Sequence, residues 1–357
     1  TVDSDMNLLC EFKIPADCYI TDTGGVWPDT DGNGKADIVI FRKRSFQLLF
    51  YAADGKLLRY KRLGRFPDTV MGRSLVDSSG IMMIDFNTGY VQQPRGVMGV
   101  DLNSMKIGFF YPTAANPIGL LRTGGEMILS DIHTPSNGCR ITYPNGAEAD
   151  DSEYFVYMMN ENGNPAENSF NPGLEGNNGQ IFYYSADMDS DGNPEIYFIA
   201  DKTNYYTGKT EVRRLDIDTG KLSGPLFSPG DNLKIFFHSM VKKEGKQLLA
   251  VYQSAPRVLY FLDSGFKTKI KYDMAERDFP SPYRWFFADL NSDGNSEMFL
   301  WNKTGLYIYD LDFNQIAVIG TDRKESVLAN VIVSDLNSDG KDEITLVYDD
   351  TISIYSY

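Results

Sequence analysis

The nine residues Asp335-Leu-Asn-Ser-Asp-Gly-Lys-Asp-Glu343 introduce the segment that decides the fold, because a strand-like run follows them at once. That run, Ile344-Thr-Leu-Val-Tyr348, is rich in residues that favour β-strands. The same polar phrase occurs four times in the chain, each time before a hydrophobic run. The other copies are Asp29–Asp37, Asp187–Glu195 and Asp289–Glu297.

The spacing between these copies predicts the number of repeats. Asp289 and Asp335 are 46 residues apart, Asp187 and Asp289 are 102 apart, and Asp29 and Asp187 are 158 apart. The two longer intervals equal two and three units of about 51 to 53 residues, and 357 residues divide into seven such units. Repeats of this length are typical of four-stranded propeller blades. The sequence therefore predicts an all-β fold, with a single seven-bladed β-propeller domain of four-stranded antiparallel blades over 1–357.

Each unit is expected to contain strand A, a motif loop, strands B and C, a tight turn and strand D. Polar turns rich in Asp, Asn and Gly support this order in the first six units, because these residues suit tight hairpins. The turns are Ala53–Lys56, Asn103–Lys106, Asn160–Gly163, Asp218–Lys221, Asp263–Phe266 and Asp312–Gln315. Three degenerate motif loops are expected at Asp77–Gly80, Asp131–Gly138 and Lys242–Gly245, before strands B at Ile81–Ile84, Cys139–Tyr143 and Gln247–Tyr252.

The seventh unit ends before its fourth strand. It offers Asn330–Ser334, Ile344–Tyr348 and Thr351–Tyr355, after which only two residues remain. The apolar run Asn7–Ile14 precedes the first strand A and is free to supply the missing strand. We therefore predict that it pairs with Thr351–Tyr355 and closes the ring, since an open sheet edge would otherwise remain. A frayed N-terminal tail is the alternative.

The four strong loops place oxygen-bearing side chains at positions 1, 3, 5 and 9, with glycine at position 6. Ca²⁺ binds six to eight oxygens, and the backbone carbonyl of position 7 can add one to the four side chains. Mg²⁺ fits less well, because it demands rigid octahedral geometry. The alternative is that these residues only form turns. The predicted Ca²⁺ ligands are Asp29, Asp31, Asn33, Lys35 and Asp37; Asp187, Asp189, Asp191, Asn193 and Glu195; Asp289, Asn291, Asp293, Asn295 and Glu297; and Asp335, Asn337, Asp339, Lys341 and Glu343.

This phrase before a hydrophobic strand resembles the calcium-binding FG-GAP/VCBS repeat family, which includes the propellers of integrin α-subunits. The resemblance covers four units by motif and three by period alone. It implies a propeller, structural calcium and an extracytoplasmic location. Rhamnogalacturonan lyases are similar propellers with such loops, but their catalytic residues have no match in this chain. We expect the Asp187 loop to bind most tightly, because it has four acids.

Composition excludes several classes of function. Lys and Arg number 34 against 49 Asp and Glu, so the net charge is −15, which argues against nucleic acid or a membrane as partner. No apolar stretch is long enough to span a bilayer. Only two histidines are present, which leaves little room for a His-rich zinc site or a His-centred relay. Cys10 and Cys18 either form a disulfide or remain buried thiols.

Function is expected on the face opposite the motif loops, where the B–C and D–A connections are longer and more varied. Aromatic side chains beside Arg and Asn there suit a sugar or a peptide. The main hypothesis is a non-enzymatic module that binds a glycan or a protein; the alternatives are a calcium-dependent polysaccharide lyase and a module of a longer protein. The candidate ligand-binding residues are Tyr90, Arg95, Tyr205, Tyr206, Phe279 and Tyr283.

Overall fold

A computed structural model describes the parts of the chain on which the following account rests. The described residues are 6–15, 18–20, 29–42, 47–64, 70–76, 81–87, 95–112, 117–123, 126–132, 141–142, 148–149, 154–159, 182–191, 195–201, 210–216, 219, 221–230, 235–254, 257–274, 284–302, 305–320 and 328–357.

All regular structure in these residues is β, and the strands alternate direction in every sheet. Five sheets each consist of four strands that follow one another in the chain. They are β2 to β5 (Cys18–Ile20, Ile38–Arg42, Gln47–Tyr51, Leu57–Arg62); β6 to β9 (Val70–Val76, Ile81–Asn87, Arg95–Asp101, Lys106–Pro112); β15 to β18 (Phe182–Ala186, Glu195–Asp201, Thr210–Asp216, Lys221–Leu222); β19 to β22 (Ile235–Lys243, Lys246–Ser254, Arg257–Leu262, Thr268–Asp273); and β23 to β26 (Arg284–Ala288, Glu297–Asn302, Gly305–Tyr309, Gln315–Gly320).

The sixth four-stranded sheet joins the two ends of the chain. Its strands β27 to β29 are Leu328–Ser334, Glu343–Tyr348 and Thr351–Ser356. The N-terminal strand β1 (Asn7–Lys13) pairs antiparallel with β29, from Asn7 opposite Ser356 to Lys13 opposite Thr351. The fourth strand that the seventh unit lacks therefore comes from the other end of the chain.

The third unit departs from the sequence prediction. Its sheet contains β10 (Pro117–Thr123), β11 (Glu126–Ile132) and β14 (Tyr154–Met159). Asp131, expected to start a motif loop, lies within β11 opposite Phe155, so the register predicted for this unit was wrong. Part of the expected strand B instead forms β12 (Ile141–Thr142), which pairs with β13 (Glu148–Ala149) in a small separate sheet.

The fifth unit also replaces its motif loop. Strands β19 and β20 continue through the expected loop residues Lys242 and Lys243, and the turn between them consists of Glu244 and Gly245. Both turn residues have positive φ, at 51° and 72°, as a type I′ hairpin requires. This unit therefore has a two-residue hairpin where the strong units have a nine-residue loop.

The sheets pack face to face in chain order. One buried cluster joins residues of the first, second and last sheets, for example Phe50, Met82 and Ile354. Other clusters join β15–β18 with β19–β22, then β19–β22 with β23–β26, and β23–β26 with the last sheet. First strands of successive sheets are also in contact: β6 with β10, β10 with β15, β15 with β19, and β19 with β23.

Two further expectations concern the thiols and the membrane. Cys10 and Cys18 are both half-buried free thiols, so the alternative without a disulfide holds. The described residues contain no helix that is long and apolar enough to cross a membrane.

Candidate functional site

The four strong loops share one backbone path. Position 4 has positive φ in all four, from 56° to 77°, although it is glycine only in the first loop; the residues are Gly32, Ser190, Ser292 and Ser338. Position 6 has positive φ of 81° to 86° in the three loops where it is described, at Gly34, Gly294 and Gly340. In these three loops two such residues curl the backbone inward, which explains why glycine occurs there at position 6.

The acid at position 1 holds this curl together. Asp29 accepts hydrogen bonds from the backbone N–H groups of Gly32 and Gly34, both at 2.8 Å. Asp335 accepts from Asp339 N and Gly340 N, and Asp289 accepts from Gly294 N at 3.0 Å. These carboxylates therefore stabilise turns, as expected from the alternative that the motif residues only form turns. Turn formation does not use every carboxylate oxygen, since Asp289 Oδ1 accepts no hydrogen bond from a described residue.

The acid at position 9 lies at the start of strand B in three loops, and in the first loop Asp37 directly precedes β3. Asp37, Glu297 and Glu343 are only 1%, 4% and 3% exposed. One oxygen of each accepts a hydrogen bond from the backbone N–H of position 2, at 2.7 Å in all three loops. The equivalent bond to Glu195 measures 3.1 Å. A single side chain thus ties the start of each loop to the strand that follows it.

Two carboxylate oxygens in these loops lack partners. Asp37 Oδ1 and Asp289 Oδ1 are buried and accept no hydrogen bond within the described parts of the chain. A buried carboxylate without a partner is costly, and such groups are normally paired or bind a metal. These two oxygens are the clearest sign that the loops fit a cation.

Carboxylates converge most closely in two of the four loops. Oxygens of Asp29, Asp31 and Asp37 lie within 4.8 Å of one another, and so do oxygens of Asp187, Asp189 and Glu195. Like charges at this distance repel strongly unless a cation or a proton intervenes. Both sets are positions 1, 3 and 9 of the motif.

The other two loops have asparagine at position 3, and its amide is already engaged. Asn337 donates its Nδ2 hydrogen to Glu343 Oε1 at 2.8 Å and accepts from Asp339 N. Asn291 donates similarly to Asp293 and accepts from its backbone N–H. A cation would need each amide to turn its oxygen inward. The residues at positions 1, 3, 5 and 9 can still supply oxygens there, and they include three acids in each loop, as in the Asp29 loop.

The electrostatics follow from burial and crowding. Burial raises the pKa of Glu297 to about 7, and the nearby charges of Asp293 and Asp289 act in the same direction. Burial likewise raises the pKa of Asp37 and of Glu343. Exposed Asp29 differs, because backbone hydrogen bonds outweigh its slight burial and lower its pKa. A bound divalent ion would lower the pKa values of Glu297, Asp37 and Glu343, since it favours ionised carboxylates.

Sequence reasoning missed two hydroxyl groups that orient the position 9 acids. The Thr30 hydroxyl donates to Asp37 Oδ2, and the Tyr197 hydroxyl donates to Glu195 Oε2 at 3.1 Å. Burial, followed by the charge of Glu195, raises the pKa of Tyr197. The only sequence feature that could have identified them is their position. Thr30 directly follows the first acid of its loop, and Tyr197 comes two residues after the last acid of its loop.

Only one of the six predicted ligand-binding residues lies in the part of the chain that the structure describes. Arg95 opens β8, where it pairs with Asn87. The remaining five, namely Tyr90, Tyr205, Tyr206, Phe279 and Tyr283, lie outside the described residues, as does the predicted cation ligand Asn193. Their proposed role stays a prediction.

Comparison with known proteins supports the fold class. No sequence-family model and no curated protein sequence matches the chain. A catalytically inactive virginiamycin B lyase from Staphylococcus aureus with quinupristin superposes with a TM-score of 0.60 and 11% identity over 99% of this chain and 100% of that one.

Two further solved structures give the same result. A streptogramin B lyase has a TM-score of 0.56 and 14% identity over 98% of this chain and 97% of its own. BBS1N in complex with ARL6DN has a TM-score of 0.55 and 8% identity over 99% and 96%. These proteins are β-propellers. At such low identity the likeness shows the fold alone, and the chain has a β-propeller fold.

Proposed function

We propose that this chain is a seven-bladed, calcium-stabilised propeller that acts outside the cytoplasm as a non-enzymatic module for binding a glycan or a protein. The observation that carries the calcium assignment is the buried, unpartnered oxygen of Asp37, within a cluster that also contains Asp29 and Asp31. A divalent ion would satisfy that oxygen and remove the repulsion among the three carboxylates.

A closed ring of seven blades is the architecture we favour. Six described sheets have four strands and one has three. Core clusters connect the four-stranded sheets, and contacts of β10 with β6 and β15 connect the three-stranded one. Pairing of β1 with β29 would then complete the last blade and hold the first and seventh blades together. Such closure makes each blade depend on two neighbours.

The kind of cation site that we propose supports an extracytoplasmic location. The loops lie at the surface, and two of them have asparagine in place of a third converging acid. Exposed sites with few charges bind Ca²⁺ weakly, in the range of about 10⁻⁴ to 10⁻³ M that extracellular modules use. Calcium would then fix the hairpins of the blades, which leaves the opposite loops free for a ligand.

Thermal unfolding with Ca²⁺ or with a chelator tests the cation assignment. Because the ion binds the folded form, saturating Ca²⁺ at about 100 times its Kd should stabilise the protein by about 2.7 kcal/mol per site. Asp37→Asn should reduce this gain, yet leave the chelated protein as stable as wild type or slightly more so, since it removes a buried charge with one orphan oxygen.

Asp54→Asn is the matched control for that experiment. Asp54 lies in the β4–β5 turn, where its Oδ1 accepts from Lys56 N at 3.0 Å, and the asparagine oxygen can replace it. The control should keep the full gain from Ca²⁺. Equal melting curves in Ca²⁺ and chelator would contradict the cation assignment, whereas a rise in ultraviolet absorbance with pectic substrates would contradict a purely binding role.

A further inference from the structure

Exposed large apolar side chains concentrate on the outermost strands of three sheets. Their exposed fractions lie between 41% and 64%, and they are Leu8 and Leu9 on β1, Leu57 and Tyr60 on β5, and Ile107 and Phe110 on β9. The outer strands β22 and β26, described over their full length, have none. An apolar surface restricted to one part of a molecule marks an interaction site more often than scattered residues do.

These three strands belong to neighbouring sheets. The core cluster that contains Phe50, Met82 and Ile354 unites the sheets of β5, β9 and β1, so the three outer strands belong to sheets that pack on one another. We call β1, β5 and β9 together the outer belt. In sheet order its middle strand is β5, and the outer strands of both neighbouring sheets also expose apolar side chains.

Each strand of the outer belt has one free edge. β1, β5 and β9 are all terminal strands of their sheets, and within the described residues no strand pairs with their outer edges. A free edge presents backbone donors and acceptors to an extended partner. The edge strand β22 also exposes two lysines, Lys269 and Lys271, but it has no exposed large apolar side chain.

The charge of the outer belt is opposite to that of the whole protein. Its three strands contain five basic residues and one acid, although the chain has a net charge of −15. Three of the five, Arg59, Lys61 and Arg62, lie on β5. A partner for this surface should therefore be acidic, because opposite charges steer association and favour the correct pairing.

Arg59 provides an independent indication of an anionic partner. Its guanidinium lies 5.3 Å from the centre of the Phe50 ring, which holds it near β4. Its Nε and Nη2 atoms donate no hydrogen bond to any described residue. Guanidinium groups bind carboxylates through two parallel hydrogen bonds, but these two nitrogen atoms are buried, so Arg59 has to turn outward to receive a carboxylate from a strand added beside β5.

A cleft next to the outer belt can receive an apolar side chain. It has a volume of about 450 Å³ at the junction of the first and last sheets, and Leu9, Cys10, Ala53, Leu336 and Ile354 contribute to its walls. Pockets of this kind receive the anchor residues that dominate binding energy in protein interfaces. The cleft adjoins β1, so one partner can occupy both features.

We propose that the outer belt is a docking surface for an extended acidic protein segment with alternating apolar side chains, which adds as a further strand to the free edge of β5. The proposal deepens the binding role proposed above by naming the partner as protein. The free edge of β5 lies outside the cation loops, but residues of two of these loops, among them Lys35 and Asn337, line the cleft. Peptide binding that persists in chelator therefore tests the docking surface separately from the cation sites.

A synthetic peptide of about twelve residues, with Glu or Asp alternating with Leu or Phe, is the probe. Fluorescence anisotropy of the labelled peptide with the full chain, in Ca²⁺ and in chelator, measures binding. Tyr60→Glu combined with Arg62→Glu should weaken binding at least about tenfold, since both side chains are exposed and face the added strand. Lys271→Glu, on the edge of β22, is the matched control and should bind as wild type does.

Two further peptides test the mode of binding. Methylation of alternate backbone nitrogens should weaken binding about tenfold if the peptide adds as a strand, because the inter-strand hydrogen bonds are lost. A peptide with lysine in place of every acid should not bind. Equal binding of acidic and basic peptides, or no effect of the double variant, would overturn the proposal.

The other possible occupants of the outer belt are also outcomes of the test. Light scattering would detect a second copy of the chain, as a dimer that Tyr60→Glu with Arg62→Glu abolishes. Sedimentation with phosphatidylserine–phosphatidylcholine vesicles would detect a membrane surface. Either result without peptide binding would overturn the assignment to an acidic protein segment.

Discussion

At the scale of one residue, Asp263 shows how a carboxylate without a cation role organises a turn. Its Oδ1 accepts hydrogen bonds from Gly265 N at 3.0 Å and Lys267 N at 2.9 Å, and its Oδ2 pairs with Lys269 Nζ at 2.8 Å. The hydrogen bond from Lys269 and those from the backbone lower the pKa of Asp263 below 3.8. The turn is therefore more stable when Asp263 is ionised.

We expect Asp263→Ala to lower the free energy of unfolding by about 1 to 2 kcal/mol at pH 7, as loss of a capping carboxylate does. Because the folded pKa lies below the unfolded value, this contribution is present above pH 3.8 and disappears as the pH falls through the folded pKa. Urea unfolding of wild type and variant across this range measures the difference. Lys269→Ala should cost less, since an exposed ion pair contributes at most about 1 kcal/mol. A loss that is constant with pH would contradict this account.

The candidate ligands at positions 1, 3 and 9 could be predicted from the sequence, because alternation in a tight loop brings these side chains to one side. Asp29, Asp31 and Asp37 do converge. The sequence could not predict that Asn337 would turn its amide hydrogen toward Glu343. Which end of an amide faces inward depends on the nearest acceptor, and spacing alone does not specify it.

At the scale of the element, glycine at position 6 makes the loop possible. Gly340 has a φ of 86°, and no atom lies within 4 Å of the place that a Cβ would occupy. Gly340→Ala should therefore destabilise the protein through backbone strain alone, by about 1 kcal/mol. Urea unfolding in chelator isolates this effect from any change in cation binding.

Gly320→Ala is the matched control, because this glycine also has open space around its Cβ position but no positive φ. The control should be neutral or stabilising by about 0.5 kcal/mol, since alanine restricts the unfolded chain. Equal effects of the two substitutions would show that position 6 does not require the left-handed conformation.

Element boundaries were predictable where the motif is strong, and two of the three units with a degenerate motif departed from the prediction. In the second unit strand B does begin at Ile81, as predicted. In the third unit Thr123 lies opposite Glu126, so Asp131 falls near the end of β11 instead of at the start of a loop. In the fifth unit Glu244 and Gly245 form the whole turn. Both units keep the strand pairing without the loop. The period of the repeat therefore reflects the sheets, and the acidic motif is an addition that some sheets lack.

At the scale of the whole molecule, the meeting of the two termini in one sheet has the largest consequence. Asn7 lies opposite Ser356, so a disulfide between cysteines at these positions would enclose nearly the entire chain. Directly opposed residues in antiparallel strands have Cα atoms about 4.5 to 5.5 Å apart, which a disulfide can span. Asn7→Cys with Ser356→Cys, after replacement of the three native cysteines by serine, provides the test.

Oxidation should give a monomer with a higher melting temperature than its reduced form, because the cross-link removes entropy from the unfolded chain. The gain in unfolding free energy should reach up to about 5 kcal/mol, since the stabilisation rises with the length of the enclosed loop. The reduced variant should melt like the cysteine-free parent and serves as the control. Covalent dimers would mean that β1 completes the last sheet of another molecule, and an unchanged melting temperature would mean that β1 leaves the sheet before the blades separate. Only a β1 that stays paired until global unfolding can lock the first and last sheets together, as a closed propeller requires.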